Sequence, residues 1–124
     1  MTSKERGAWG EKAALQFYKS RGYQILAQNY FARFGELDLV VMRGDALRFV
    51  EVKARSDFHF GRPEEYVNRT KRRRLRLAAR DFLARHEGLR RWTYFLFDIV
   101  EVDLKHQKIH WIPNAFSMQE EGRL

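Results

Sequence analysis

GELDLVVMRGDALRFVEVKAR, residues 35–55, is the stretch that decides how this chain folds. Two apolar runs, 36–43 and 46–54, flank Arg43-Gly44-Asp45, which has the composition of a hairpin turn between two strands. Strand side chains alternate between faces, so Glu36 and Asp38 project together, and so do Glu51 and Lys53. Three carboxylates and an ammonium are costly to bury in otherwise apolar strands unless they pair or hold a cation. The pattern points to a metal site.

Outward from this hairpin, residues 23–31 read as a preceding strand and 4–21 as an amphipathic helix, with Ser3 as its cap and Gly22 as its stop. Downstream comes the loop SDFHFG, then Arg62-Pro63 with Glu64 and Glu65, a composition that suits a short helix start. A second long helix is expected over 68–87, with Asn68 as cap, Gly88 as stop, and Leu75, Ala78, Ala79, Phe82 and His86 along one face. Residues 92–104, WTYFLFDIVEVDL, suit a long strand. A shorter one at 107–112 follows a turn near Lys105-His106. The tail after Pro113 is expected to be loosely held. The order α-β-β-β-α-β-β makes residues 1–124 a single α/β domain, a mixed central β-sheet flanked by helices.

Composition fits a folded globule: 44% of the 124 residues are apolar and 15% aromatic. No apolar run approaches the roughly 20 residues needed to cross a bilayer. MTSKERGAWGEKAA lacks the continuous hydrophobic segment of a signal peptide, so no membrane partner and a cytoplasmic location are expected. Zero cysteines exclude disulfides and thiolate metal sites. A net charge of +8 favours a polyanionic partner, nucleic acid above all.

Mg²⁺ takes one or two protein carboxylates and leaves its other positions to water and phosphate. Asp38 and Glu51, on strands joined by a tight turn, can converge on one such ion, with the Val52 carbonyl as a possible further ligand. Lys53, on the same face as Glu51, can orient a nucleophile and offset charge developing at a phosphate. Alone, Glu-x-Lys in a strand is a weak signal, because cross-strand ion pairs produce it constantly. Two features strengthen it. One is the correctly phased Asp38. The other is Glu11, which lies beside the apolar helical face of Ala14, Leu15 and Tyr18. Glu36 is an outer ligand or a cap at the strand entrance beside Gly35.

GELDLVV, a hairpin, then FVEVKAR, with GAWGEKAA upstream, resembles the bipartite site of the PD-(D/E)xK nuclease superfamily, which has the restriction-endonuclease-like fold. More narrowly, the chain resembles the YraN-like family of small bacterial proteins, themselves similar to archaeal Holliday-junction resolvases. The likeness covers about residues 5–103 and includes GRPEEYVNRTKRRRL and FDIVEV. It implies an endonuclease dependent on Mg²⁺ or Mn²⁺. Asp38 and Glu51 would be its metal ligands, Lys53 its catalytic lysine and Glu11 the added helical acid. The superfamily's proline before the first acid is absent, since Leu37 stands there. The family's usual arginine before the late FD pair is replaced by Leu96, and Asp98 is read as structural. Resolvase-like relatives work as dimers, which implies a homodimer here.

Six of the eight residues 69–76 are basic. Arg69, Arg72, Arg73, Arg76 and Arg80 fall on one helical stripe, with Lys71 beside it. Like charges at this spacing repel by a few tenths of a kcal/mol per pair, a cost that phosphates remove. The stripe is assigned to nucleic-acid backbone contact, DNA ahead of RNA. His59, His86, His106 and His110 share no metal-ligand spacing. Phe58 and Phe60 are candidates for wedging into a branched substrate, and Trp9, Trp92 and Trp111 for core or interface anchors. The expected function is a metal-dependent endonuclease, possible substrates including branched DNA. The alternatives are a non-catalytic nucleic-acid-binding module and a complex subunit that retains the nuclease fold.

Overall fold

The computed structural model describes residues 1–55, 67–86 and 92–119. Phe58, His59, Phe60, Pro63, Glu64, Glu65 and Gly88, for which the sequence carries expectations, lie outside them. The elements are α1 (Ser3–Ser20), β1 (Gln24–Ala32), β2 (Gly35–Arg43), β3 (Ala46–Arg55), α2 (Arg69–Arg85), β4 (Tyr94–Asp103) and β5 (Lys108–Phe116). This is the expected order, in an α/β fold. The strands form one mixed sheet ordered β1-β2-β3-β4-β5. All neighbouring pairs are antiparallel except β3 with β4, which is parallel. Parallel neighbours need a crossover, and α2 belongs to it.

The sheet is covered on both sides. Leu75, Ala78, Ala79 and Phe82 of α2 pack with Val40, Leu47, Phe49, Phe97 and Ile99. Ala14 and Tyr18 of α1 pack with Leu39, Val41, Val50, Val100 and Val102 on the other face. Helix α1 begins one residue earlier than the sequence suggests. Thr2, not Ser3, is its cap, in a capping box with Glu5. Gly22 ends it in the left-handed region, at φ 82°. Asn68 caps α2 as expected, accepting from the Lys71 N–H. Gly44, at φ 61°, takes the first place of the two-residue turn between β2 and β3.

Two close approaches set the layers. A Cβ on Gly10 of α1 would lie 2.6 Å from the Ala54 Cβ of β3. A Cβ on Gly35 would lie 2.6 Å from the Arg74 carbonyl oxygen, so the end of the β1–β2 hairpin rests on the backbone of α2.

Strand β5 corrects the expectation for the tail. It continues through Pro113 to Phe116, and Phe116 stacks on Phe97 at 4.5 Å between ring centroids. Proline is tolerated because β5 is an edge strand with an irregularity in its register opposite Asp98. Asn114, at φ 50°, there donates its N–H to Asp98 Oδ1 at 3.0 Å. Asp98 also accepts from Tyr18 Oη at 2.7 Å and Trp111 Nε1 at 3.1 Å, and pairs with Arg48 at 2.9 Å. This fully buried carboxylate therefore joins α1, β3, β4 and β5. Its structural reading holds, and its cation comes from Arg48, the ladder neighbour of Leu96. Of the tryptophans, Trp111 packs edge-on against Phe17 and Tyr18, while Trp9 is 56% exposed and anchors no core.

Two stability measurements check these points. Gly10→Ala improves helix propensity by up to about 1 kcal/mol, yet is expected to lower stability, since overpacking at an immovable neighbour costs about 1–3 kcal/mol. Asp98→Ala leaves Arg48 without its carboxylate and is expected to cost about 3 kcal/mol or more in urea unfolding.

Candidate active site

Strand β3 carries Glu51 and Lys53 two residues apart on the α2 side of the sheet, in phase with Phe49. The β2–β3 ladder runs from Arg43 opposite Ala46 to Leu39 opposite Val50. Beyond it the Val52 N–H is taken by a side chain, donating to Asp38 Oδ2 at 2.7 Å. Asp38 is thereby fixed beside the backbone link between Glu51 and Lys53. Glu51 is 5% exposed. Lys53 Nζ lies 3.8 Å from its Oε1 and Lys71 Nζ 3.7 Å from its Oε2. Both separations exceed hydrogen-bond length, and Oε2 is buried with no hydrogen-bond partner.

The electrostatics follow from this crowding. Burial, then the Glu51 charge, raise the Asp38 pKa to about 7; Glu11 and Glu36 push the same way, against the Val52 N–H. Burial also raises the Glu51 pKa, with Lys71 and Lys53 opposing it and Glu36 adding to it. All four sequence-predicted acids therefore act on one locality. Glu51 is buried and Asp38 half-buried, desolvation being the largest cause of the shift in both, whereas Glu11 and Glu36, also half-buried, act on the pair through their charge.

The donor set suits a hard divalent cation. It offers two desolvated carboxylates, one with an unpartnered oxygen, and Mg²⁺ asks no more than one or two carboxylates of a protein. Among the described residues, no three His, Cys, Asp or Glu side chains gather as a ready metal cluster. The Asp38–Glu51 pair would be the core of such a site, and its other ligand positions would fall to water or phosphate.

The basic residues of α2 divide. Arg73 and Arg80 are exposed, as is Arg69, and Arg72 is half-buried with a hydrogen bond to the Val67 carbonyl. Arg76 is a correction. It is only 2% exposed, donates from Nε to the Ser117 carbonyl at 2.8 Å and lies over the Phe116 ring. It therefore packs against the end of β5 and the residue after it, apart from the exposed arginines of the expected stripe. Lys71 turns to Glu51, a role the sequence did not reveal, because only the crossover's path brings the first turn of α2 to the end of β3. Arg74, absent from the predicted stripe, is exposed beside Gly35.

Comparison with known proteins gives a consistent assignment. Residues 10–102 match the model of Uncharacterised protein family UPF0102. The chain is 46% identical over 113 residues to a UPF0102 protein of Solibacter usitatus, covering 89% of this chain and 84% of the relative. It is 40% identical over 115 residues to one from Alkaliphilus metalliredigens, covering 92% and 99%. A third, from Clostridioides difficile, is 38% identical over 116 residues, covering 94% and 100%.

The Asp38 carboxyl sets a pH test. Folded, it keeps its proton to about 7, against an ordinary value of 3.8. Between those values the folded state binds more protons than the unfolded state, so stability falls as pH rises through that window. Metal-free wild type is expected to melt lower at about pH 8 than at about pH 5, and Asp38→Asn to remove much of that slope. Divalent metal should raise the wild-type melting temperature at the upper pH and leave that of Asp38→Asn unchanged.

Proposed function

We propose, on the premise that this chain belongs to the UPF0102 family, that it is a metal-dependent endonuclease hydrolysing phosphodiester bonds in nucleic acid. The observation that carries this reading is the desolvated Asp38–Glu51 pair, with Glu51 buried and Lys53 alongside, in a protein of charge +8. A protein that only binds phosphates gains nothing from concentrating carboxylates where they would lie. An enzyme that needs a divalent cation there gains its ligands.

Asp38 and Glu51 would hold Mg²⁺ or Mn²⁺, with Glu11 and Glu36 reinforcing the negative field. When bound, such an ion lowers the pKa of a water and neutralises charge at the phosphate. The Val52 N–H fixes Asp38, so this ligand does not have to be ordered when the ion arrives. Lys53, about a third exposed, stands at the rim of this pair. Its ammonium can hold the scissile phosphate and offset charge that grows on it during in-line attack. Lys71 occupies the opposite side of Glu51. Its ammonium restrains that carboxylate until a stronger cation competes for it. Arg69, Arg73 and Arg80 on α2 supply backbone contacts that give position and affinity with little sequence reading. DNA is the favoured substrate, with branched structures foremost, and a homodimer would place two such sites on two strands.

The competing reading is a non-catalytic nucleic-acid-binding subunit. It draws on the lack of a three-ligand cluster among the described residues. Cleavage of labelled four-way junctions, flaps, duplexes and single strands, with Mg²⁺ and with Mn²⁺, separates the two. Asp38→Asn and Glu51→Gln are expected to lose at least about 10²-fold in rate while keeping nucleic-acid affinity. Wild-type rates in either variant would overturn the nuclease, and binding without cleavage by the wild type would favour the subunit.

A further inference from the structure

The end of the β1–β2 hairpin reads Phe31-Ala32-Arg33-Phe34-Gly35, and its two aromatic rings point to solvent. Phe31 is 72% exposed and Phe34 58%. The Arg33 guanidinium lies 5.0 Å from the Phe34 ring centroid. Phe34 forms one wall of an open cleft of about 410 Å³, lined otherwise by Thr70, Arg73, Arg74 and Leu77. Among the described residues, no carboxylate lines this cleft, and Arg33, Arg73 and Arg74 form no ion pair. The cleft is built in advance, because Gly35 rests on the Arg74 backbone and holds the hairpin end against α2.

Its position relates it to the acids. Glu36 follows Gly35 directly. Lys71, which follows Thr70, reaches Glu51 at 3.7 Å. An exposed ring, three arginines without an ion pair among the described residues and a cavity in the size range of small-ligand sites call for a planar, anionic occupant. A paired duplex hides its base faces in its own stack. An unpaired strand offers them, and stacking on an aromatic side chain needs no particular base.

We infer that this cleft seats one unpaired nucleotide of a nucleic-acid strand, its base stacked on Phe34 and its flanking phosphates held by Arg33, Arg73 and Arg74. The inference rests on the nucleic-acid reading above and narrows the substrate class to molecules with unpaired nucleotides beside a duplex. Phe34 is a binding residue in this scheme and takes no part in the chemistry.

The test is binding without cleavage, by fluorescence anisotropy in EDTA. It compares a blunt DNA duplex with the same duplex bearing a single-stranded tail that contains 2-aminopurine. Wild type is expected to bind the tailed duplex about tenfold more tightly than the blunt one and to quench the 2-aminopurine. Phe34→Ala should abolish both effects and leave blunt-duplex affinity unchanged, while Phe34→Trp should preserve both. Equal binding of the two duplexes by the wild type would overturn the inference, as would retained preference in Phe34→Ala. Displacement of the tailed duplex by poly-glutamate as readily as by a single strand would overturn it too, by making the cleft a general anion site. Selective binding with no cleavage in the assays above would leave the cleft standing and remove the nuclease. Cleavage without selective binding would do the reverse.

Discussion

A carboxylate buried inside a β-sheet must be answered by donors and cations, or it must keep its proton. This chain treats its buried acids in opposite ways, and the contrast separates architecture from chemistry. Asp98 is answered in full, by Arg48, Tyr18, Trp111 and the Asn114 N–H. It ties α1 and β3 to the edge strand. Asp38 and Glu51 are answered only in part. Two lysines stand off Glu51 at 3.7 and 3.8 Å, one oxygen has no hydrogen-bond partner, and both carboxyls are pushed upward. An unbalanced desolvated pair costs stability, and a structure keeps such a cost most readily where a ligand can relieve it.

The geometry that concentrates this imbalance comes from the crossover. Strands β3 and β4 are parallel, so the chain must cross the sheet between them, and α2 returns over the face that carries Glu51. Lys71 in its first turn thereby meets Glu51, and Arg74 meets Gly35. On the other face, α1 comes close to β3 because Gly10 has no side chain. Glu11, the next residue, is carried near enough to raise the Asp38 pKa. Residues far apart in sequence gather at one end of β3 because both helices dock there without bulk.

Much of this was legible in the sequence. Alternation in 36–43 and 46–54, with a glycine turn between them, placed β2 and β3 and the phase of Asp38, Glu51 and Lys53. Asn68 and Gly22 marked helix ends through ordinary capping chemistry. Two of the errors share an origin. The residues after Pro113 read as a loosely held tail. On an edge strand with a register shift, proline interrupts no necessary pairing, and the chain continues to Phe116 and Ser117. Those two residues then cover Arg76, which a helical projection alone had placed with the exposed arginines. The sequence shows which face of α2 is apolar, but not which neighbouring residues a distant segment will cover.

That correction changes how the charge of α2 is read. Of the six basic residues in 69–76, Arg76 is packed under the end of the chain and Lys71 is turned to Glu51. Arg73 and Arg74, together with Arg33 from the hairpin, lie around Phe34, in a cleft whose described lining holds no carboxylate. A uniform basic stripe would grip any polyanion along its length. On the proposed function, a basic group gathered about an exposed ring, beside an acidic pair that phosphates would avoid without a metal, would restrict where a strand can lie. Phosphates would be drawn to the arginines, and a base would settle on the ring. The backbone would then have to pass the carboxylates, where a divalent cation would turn repulsion into attraction. Metal and nucleic acid should therefore bind with positive coupling, since each removes part of the electrostatic cost of placing the other.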